Sequence, residues 1–199
     1  TSLTGYGTHG PEHWRPGFYY AAFWAPSGIM APLGEPPSAP PLCRGGQGDH
    51  TTALNLVLAT LAALRLRDRT GVAQYADVTL YGTGMWTIAG DLSAALITKA
   101  HPPRHDRTAP PNPIWNSYPT RDGRYILLVH PDSQSFWPRV CAAIGEPAWA
   151  ADERWDTPAK RTAATRELSS AIGERFARQD FGHWAVELDR HKLIWAPVA

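Results

Sequence analysis

Ala53-Leu54-Asn55-Leu56-Val57-Leu58-Ala59-Thr60-Leu61-Ala62-Ala63-Leu64-Arg65-Leu66-Arg67 is the clearest element in this sequence. It is rich in Ala and Leu and apolar nearly all round, which predicts a buried helix. Arg65, Arg67 and Arg69 gather at its far end, where positive charge suits the helix dipole, and Gly71 reads as the stop. Just before it runs Arg44-Gly45-Gly46-Gln47-Gly48-Asp49, a glycine-rich loop with Asp49 placed as the expected N-cap. Just after it, Gln74 to Leu80 alternates like a strand, and a second helix is expected over residues 83–98.

Upstream, residues 5–17 read as loop, and the aromatic run Phe18 to Trp24 as a short helix with a buried aromatic face. Residues 35–48 are rich in Pro and Gly and read as a further loop. Downstream, residues 101–114 hold Pro102, Pro103, Pro110, Pro111 and Pro113, which predicts an extended connector between two folding units. Beyond it, residues 115–129 read as a β-hairpin turning at Asp122-Gly123. Ser135 to Ile144 reads as a helix ended by Gly145. Thr157-Pro158 caps a helix expected to reach about Arg178, and a last helix covers Phe181 to Arg190. Thr1 to Gly5 reads as the end of a strand, and Leu193 to Val198 as a strand leading elsewhere, so a segment of a longer protein is expected.

Composition is that of an ordinary folded protein, 43% hydrophobic and 19% charged. A net charge of +1 offers no electrostatic footprint for nucleic acid or an anionic membrane. Cys43 and Cys141 form no disulfide framework or metal knuckle, so a reducing, cytoplasmic setting is expected. No apolar run is long enough to span a membrane. His101 and His105 are separated by Pro-Pro-Arg and cannot share a helical face, so no metal site is expected.

Asp49 has two readings. Capping is the commoner use of an aspartate at a helix start. The other use is chemical. Gly45, Gly46 and Gly48 let backbone amides approach a ligand, the helix N-terminus favours negative charge, and a carboxylate there could attack a carbonyl. Those amides could then hold the developing oxyanion. Arg44, beside the same loop, could meet a phosphate or carboxylate or be merely solvated. Cys43 reads as a small buried residue rather than a nucleophile.

The ordered set Gly5-Tyr6-Gly7-Thr8-His9-Gly10-Pro11, Arg15-Pro16-Gly17, Ser27-Gly28, Gly48-Asp49 and Arg69-Thr70-Gly71-Val72-Ala73-Gln74-Tyr75-Ala76-Asp77-Val78 resembles the class III CoA-transferases, the CaiB–BaiF family. Asn112-Pro113, Asp122 to Ile126, Phe136-Trp137 and Trp195-Ala196-Pro197-Val198 extend the likeness. The resemblance implies an α/β protein: part of a Rossmann-like large domain over residues 1–100, the connector 101–114, a small α/β domain with a short antiparallel sheet over 115–190, and a return strand toward the large domain over 191–199. It implies Asp49 as nucleophile, with coenzyme A thioester as substrate, a carboxylic acid as acceptor, no permanently bound cofactor, and an interlocked homodimer for the full protein. Gly46, Gln47, Gly48 and Arg44 are then the expected CoA-binding groups. Racemases of this superfamily carry a histidine upstream of the aspartate; the matching position here is Tyr19, either a catalytic-site residue or a packed core aromatic. His50, next to Asp49, does not share its helical face and is not that histidine. Transfer of CoA is therefore the leading expectation, with a racemase-like isomerase or a silent acyl-CoA-binding or assembly subunit as alternatives.

Overall fold

A computed structural model describes all of residues 1–199. The chain divides into two compact units, Thr1–His105 and Asp106–Ala199, with the boundary inside the proline-rich connector. The expected α/β class holds. One unit carries a parallel strand pair and the other a short antiparallel sheet. No helix is long and apolar enough to cross a membrane.

In the first unit β1 (Ser2–Thr4) pairs in parallel with β2 (Asp77–Thr79), Leu3 lying opposite Val78. Parallel strands need a long crossover. Here it includes a π-helical turn (Tyr20–Trp24) and α1 (Gln47–Thr70). Gly71 closes α1 with its N–H on the Arg67 carbonyl, 2.7 Å. β2 is shorter than its alternation predicts, because Thr79 caps the next helix: its hydroxyl accepts from the Gly82 N–H at 2.8 Å. The single helix expected over 83–98 is two, α2 (Leu80–Thr87) and α3 (Ala89–Thr98), broken where Ile88 leaves helical geometry at φ −111°, ψ 27°. Ala22, Phe23, Trp24, Ile29 and Leu80 form the buried cluster.

The expectation that α1 is buried is corrected. Only Gly48 and Thr52 of this helix are buried. Thr52 hides its hydroxyl on the Gly48 carbonyl, and Asn55 donates to the Thr83 hydroxyl at 3.2 Å, so small and polar residues face α2. Leu54, Val57, Leu58 and Leu61, at helical spacing, face outward and are 56–72% exposed. An all-round apolar pattern reports what a helix is able to bury, whereas burial itself depends on the elements that pack against it.

In the second unit β3 (Ser117–Pro119), β4 (Tyr125–Leu128) and β5 (Trp195–Val198) form an antiparallel sheet in that order. Gly123 makes the hairpin turn at φ 76°, its N–H on the Thr120 carbonyl at 2.9 Å. The closing strand is hydrogen-bonded along β4, with Ile126 opposite Pro197. Four helices accompany the sheet: α4 (Ser133–Ala143), α5 (Pro158–Ala163), α6 (Thr165–Phe176) and α7 (Phe181–Arg190). Thr157 caps α5 as expected, accepting from the Lys160 N–H. The long helix anticipated to Arg178 is broken at Ala164, whose φ −94°, ψ 21° ends α5 and starts α6.

The core of this unit is continuous, with Ile126, Leu128, Val140, Leu168, Ile172, Phe176 and Leu188 fully buried. Two buried polar groups are tied into it. His130 places Nδ1 2.9 Å from the Ile114 carbonyl and accepts the Ile194 N–H on Nε2 at 3.1 Å. Arg161 donates to the Trp155 carbonyl at 2.7 Å and to Ser133 and Gln134.

Candidate active site around Asp49

Gly46, not Asp49, is the N-cap of α1. Its φ of 79° is left-handed, a conformation glycine adopts without strain, and the chain uses it to swing from the loop into the helix. Asp49 is the third helical residue, in the first turn. The carboxylate is exposed and makes no hydrogen bond or ion pair. The capping explanation is thereby removed. The N–H groups of Gln47, Gly48 and Asp49 open the helix and have no intrahelical acceptor, while the His50 N–H already bonds the Gly46 carbonyl at 2.8 Å. An unengaged carboxylate and a set of open amides thus share one helix turn.

Tyr19 reaches the same loop. It is half-buried, and its hydroxyl lies 3.9 Å from where a side chain on Gly45 would begin. The Gly46 N–H faces that hydroxyl. Its ring lies against Tyr20 with centroids 4.1 Å apart, and the Tyr20 hydroxyl donates to the Cys43 carbonyl at 3.2 Å. Burial, then the hydrogen bond with Tyr20, raises the Tyr19 phenol to about 12. Tyr19 is therefore neutral near pH 7, a hydrogen-bond donor and not a proton-abstracting base.

The other expected residues separate. Arg44 is exposed beside the loop with no partner. Gln47 is exposed, its carbonyl accepting the Thr51 hydroxyl at 2.8 Å. Gly48 is buried, and a Cβ there would stand 2.7 Å from Phe23 Cγ, so its bareness lets the helix press onto the π-helical turn. Cys43 is half-buried and burial pushes its thiol up, away from the reactive thiolate. His101 and His105 belong to no cluster of three or more metal-ligating side chains.

One feature of the site escaped the sequence reading. The His50 ring folds back over the loop, with Cε1 3.2 Å from a Cβ built on Gly46. The signal was spacing: a helical side chain tilts toward the N-terminus, and residue 50 stands four after the cap. The glycine loop is thus pinned by Tyr19 and by His50. Asp49 itself lies on open surface. A cavity of about 440 Å³ between Tyr6, His9, Arg15 and Tyr81 does not include it.

Comparison with known proteins accounts for the whole chain. The family model described as CoA-transferase family III matches residues 1–199. The chain is 26% identical over 198 residues to (R)-2-hydroxy-4-methylpentanoate CoA-transferase of Clostridioides difficile, covering 100% of this chain and 49% of that protein. It is 32% identical over 171 residues to succinate–glutarate CoA-transferase of Agrobacterium fabrum, covering 86% and 42%. The solved structure of a CaiB/BaiF family protein from Brucella suis superposes with a TM-score of 0.84 at 25% identity, covering 99% of this chain and 51% of that one. The chain spans about half the length of the relatives it matches.

Proposed function

The chain belongs to CoA-transferase family III, and from that premise we propose that the full protein moves CoA between carboxylic acids through covalent intermediates on Asp49. The observation that carries this is the Asp49 carboxylate, exposed in the first turn of α1 without a structural partner and next to open amides.

The steps balance without a redox or metal partner. A carboxylate oxygen of Asp49 attacks the thioester carbonyl of the donor; the C–S bond breaks and CoA leaves as thiolate, giving a mixed anhydride. The thiolate then attacks the aspartyl carbonyl of that anhydride, releasing the donor acid and leaving CoA on Asp49. An acceptor carboxylate attacks the aspartyl thioester, expelling the thiolate and forming a second anhydride. The thiolate finally takes the acceptor acyl group and frees the Asp49 carboxylate. Each tetrahedral intermediate carries an oxyanion, and the open amides of the first turn, with the neutral Tyr19 hydroxyl beside them, are the donors proposed to hold it. An isomerase reading needs a base where Tyr19 stands, and a phenol at about 12 does not supply one. Interlocked dimerisation is proposed for the full-length protein on the family resemblance alone.

The test is trapping. Full-length protein is incubated with a panel of acyl-CoA thioesters, quenched with hydroxylamine, and digested for mass spectrometry. A hydroxamate on Asp49 is expected, and Asp49→Ala should give none. Absence of any adduct, with CoA binding demonstrated, overturns the mechanism.

A further inference from the structure

Three glycines lie just before Asp49, and the fold accounts for two of them. Gly46 holds a left-handed φ of 79° as the N-cap of α1. Gly48 leaves room for Phe23, whose Cγ would stand 2.7 Å from a Cβ there. Gly45 has neither reason. Its φ is not positive. A Cβ built on it meets a single atom within 4 Å beyond its two chain neighbours, the Tyr19 hydroxyl oxygen at 3.9 Å, which is ordinary van der Waals contact. Alanine would fit there without strain. A glycine in such a place adds freedom to the unfolded chain and nothing to the folded one.

The surroundings of Gly45 say what its bareness serves. The residue is exposed, and its N–H and carbonyl make no hydrogen bond. The Tyr19 hydroxyl faces the open space above it, and the Gly46 N–H faces the same hydroxyl. Gly46 and Asp49 share one turn of α1, closed by the His50 N–H on the Gly46 carbonyl at 2.8 Å. Positions three apart on a helix are neighbours, about 5–6 Å between their Cβ positions. The space over Gly45 thus has a neutral phenol on one side and an unengaged peptide beneath it, and it adjoins the turn that carries the exposed carboxylate. A phenol hydroxyl and a peptide N–H suit a carbonyl oxygen and not an alkyl or aryl tail. Bare backbone beside a reactive group lets a ligand approach closely.

We propose that the thioester of the incoming acyl-CoA is seated over Gly45, beside the Tyr19 hydroxyl, and that position 45 must lack a side chain for the thioester carbon to reach Asp49; this rests on Asp49 being the nucleophile. Gly45 is then a positioning residue for a group that every acyl-CoA donor shares.

The experiment compares full-length Gly45→Ala and Gly45→Val with the parent, by thermal unfolding and by the rate of Asp49 hydroxamate formation from acetyl-CoA, 4-methylpentanoyl-CoA and succinyl-CoA. Gly45→Ala is expected to keep or raise the melting temperature. Labelling is expected to slow by roughly tenfold or more in Gly45→Ala, and further in Gly45→Val, by a similar factor for every donor that labels the parent. A lower melting temperature in Gly45→Ala gives the glycine a structural use and overturns the proposal. Unaltered labelling overturns it too, as does slowing confined to the bulkier donors, which places the acyl tail and not the thioester over Gly45. Each of these leaves Asp49 as nucleophile. No labelling of the parent by any donor, with CoA binding demonstrated, overturns the nucleophile and this proposal together.

Discussion

The two units of this chain solve the burial problem in opposite ways. The small unit closes a core around β3, β4 and β5, with Leu168, Ile172, Phe176 and Leu188 all at 0% exposure. The unit that carries Asp49 has a small core cluster, and its longest helix turns Leu54, Val57, Leu58 and Leu61 to solvent. One unit is stabilised by its interior. The other holds a loop and a helix turn in position with a few close contacts: Gly48 on Phe23, Tyr19 on the glycine loop, His50 over Gly46. Chemistry needs the second kind of region, because a nucleophile that is also a structural partner is not free to react.

The largest effects expected from that contrast fall on function in one unit and on stability in the other. Asp49→Asn removes the proposed nucleophile, a side chain that supports nothing else in the fold. CoA transfer by the full-length protein should fall by roughly a thousandfold or more, with the melting temperature unchanged. A matching fall in melting temperature would mean that Asp49 is structural after all. Leu168→Ala, in the closed core, should cost about 2–5 kcal/mol by the lost transfer energy and the cavity left behind. Urea unfolding of the 199-residue chain followed by Trp fluorescence measures it.

Much of this contrast could be read from the residues, but not its geometry. The strand–loop–helix–strand order and the place of Asp49 at a helix start follow from local signals: glycines before, Ala and Leu within, Gly71 after. The cap assignment slipped by three residues, because a glycine in left-handed geometry can serve as N-cap without a side-chain oxygen. The breaks at Ile88 and Ala164 carry no Pro or Gly and are invisible to punctuation rules. The outward face of α1 was unreadable for a deeper reason. Periodicity names an apolar helix, and only the neighbours actually present decide which side is covered. Gly48 looked like a ligand-facing glycine and is a packing notch; nothing in one sequence separates those two uses of a missing Cβ.

That notch gives the next effect in size. In Gly48→Ala the added methyl meets Phe23 at 2.7 to 2.9 Å, on a ring already fixed in the core cluster. Overpacking of this kind costs about 1–3 kcal/mol, and the strain falls on the turn that bears Asp49. Lower stability together with slower Asp49 labelling is expected; lower stability with unaltered labelling would show that the turn's position tolerates the shift.

A smaller effect belongs to the closed unit and to pH. His130 is buried and neutral, Nδ1–H on the Ile114 carbonyl and Nε2 accepting from Ile194. Burial lowers its pKa below the ordinary 6.5, with Arg139 adding to the shift. The unfolded chain therefore takes up a proton that the folded one refuses. Stability attributable to this residue is complete above about pH 6.5 and is lost as pH falls from there through the lowered folded value. The slope cannot exceed about 1.4 kcal/mol per pH unit. Urea midpoints between pH 7.5 and 5 should show the decline in the parent chain, and His130→Gln should flatten it.

The smallest effect is the most informative about the open unit. Leu54→Ser and Leu58→Ser delete side chains that are 72% and 66% exposed. With so little burial to lose, the change reduces to helix propensity, a few tenths of a kcal/mol for each residue. The 199-residue chain should therefore lose less than about 0.5 kcal/mol, and its melting temperature should not depend on protein concentration. A cost of about 2 kcal/mol or more that grows with concentration would have another cause. It would mean that the stripe Leu54, Val57, Leu58 and Leu61 is covered in solution by a second copy, because association contributes stability in proportion to the logarithm of concentration and intramolecular packing does not. The contrast between the units would then be one between a core made within a chain and a core made between chains.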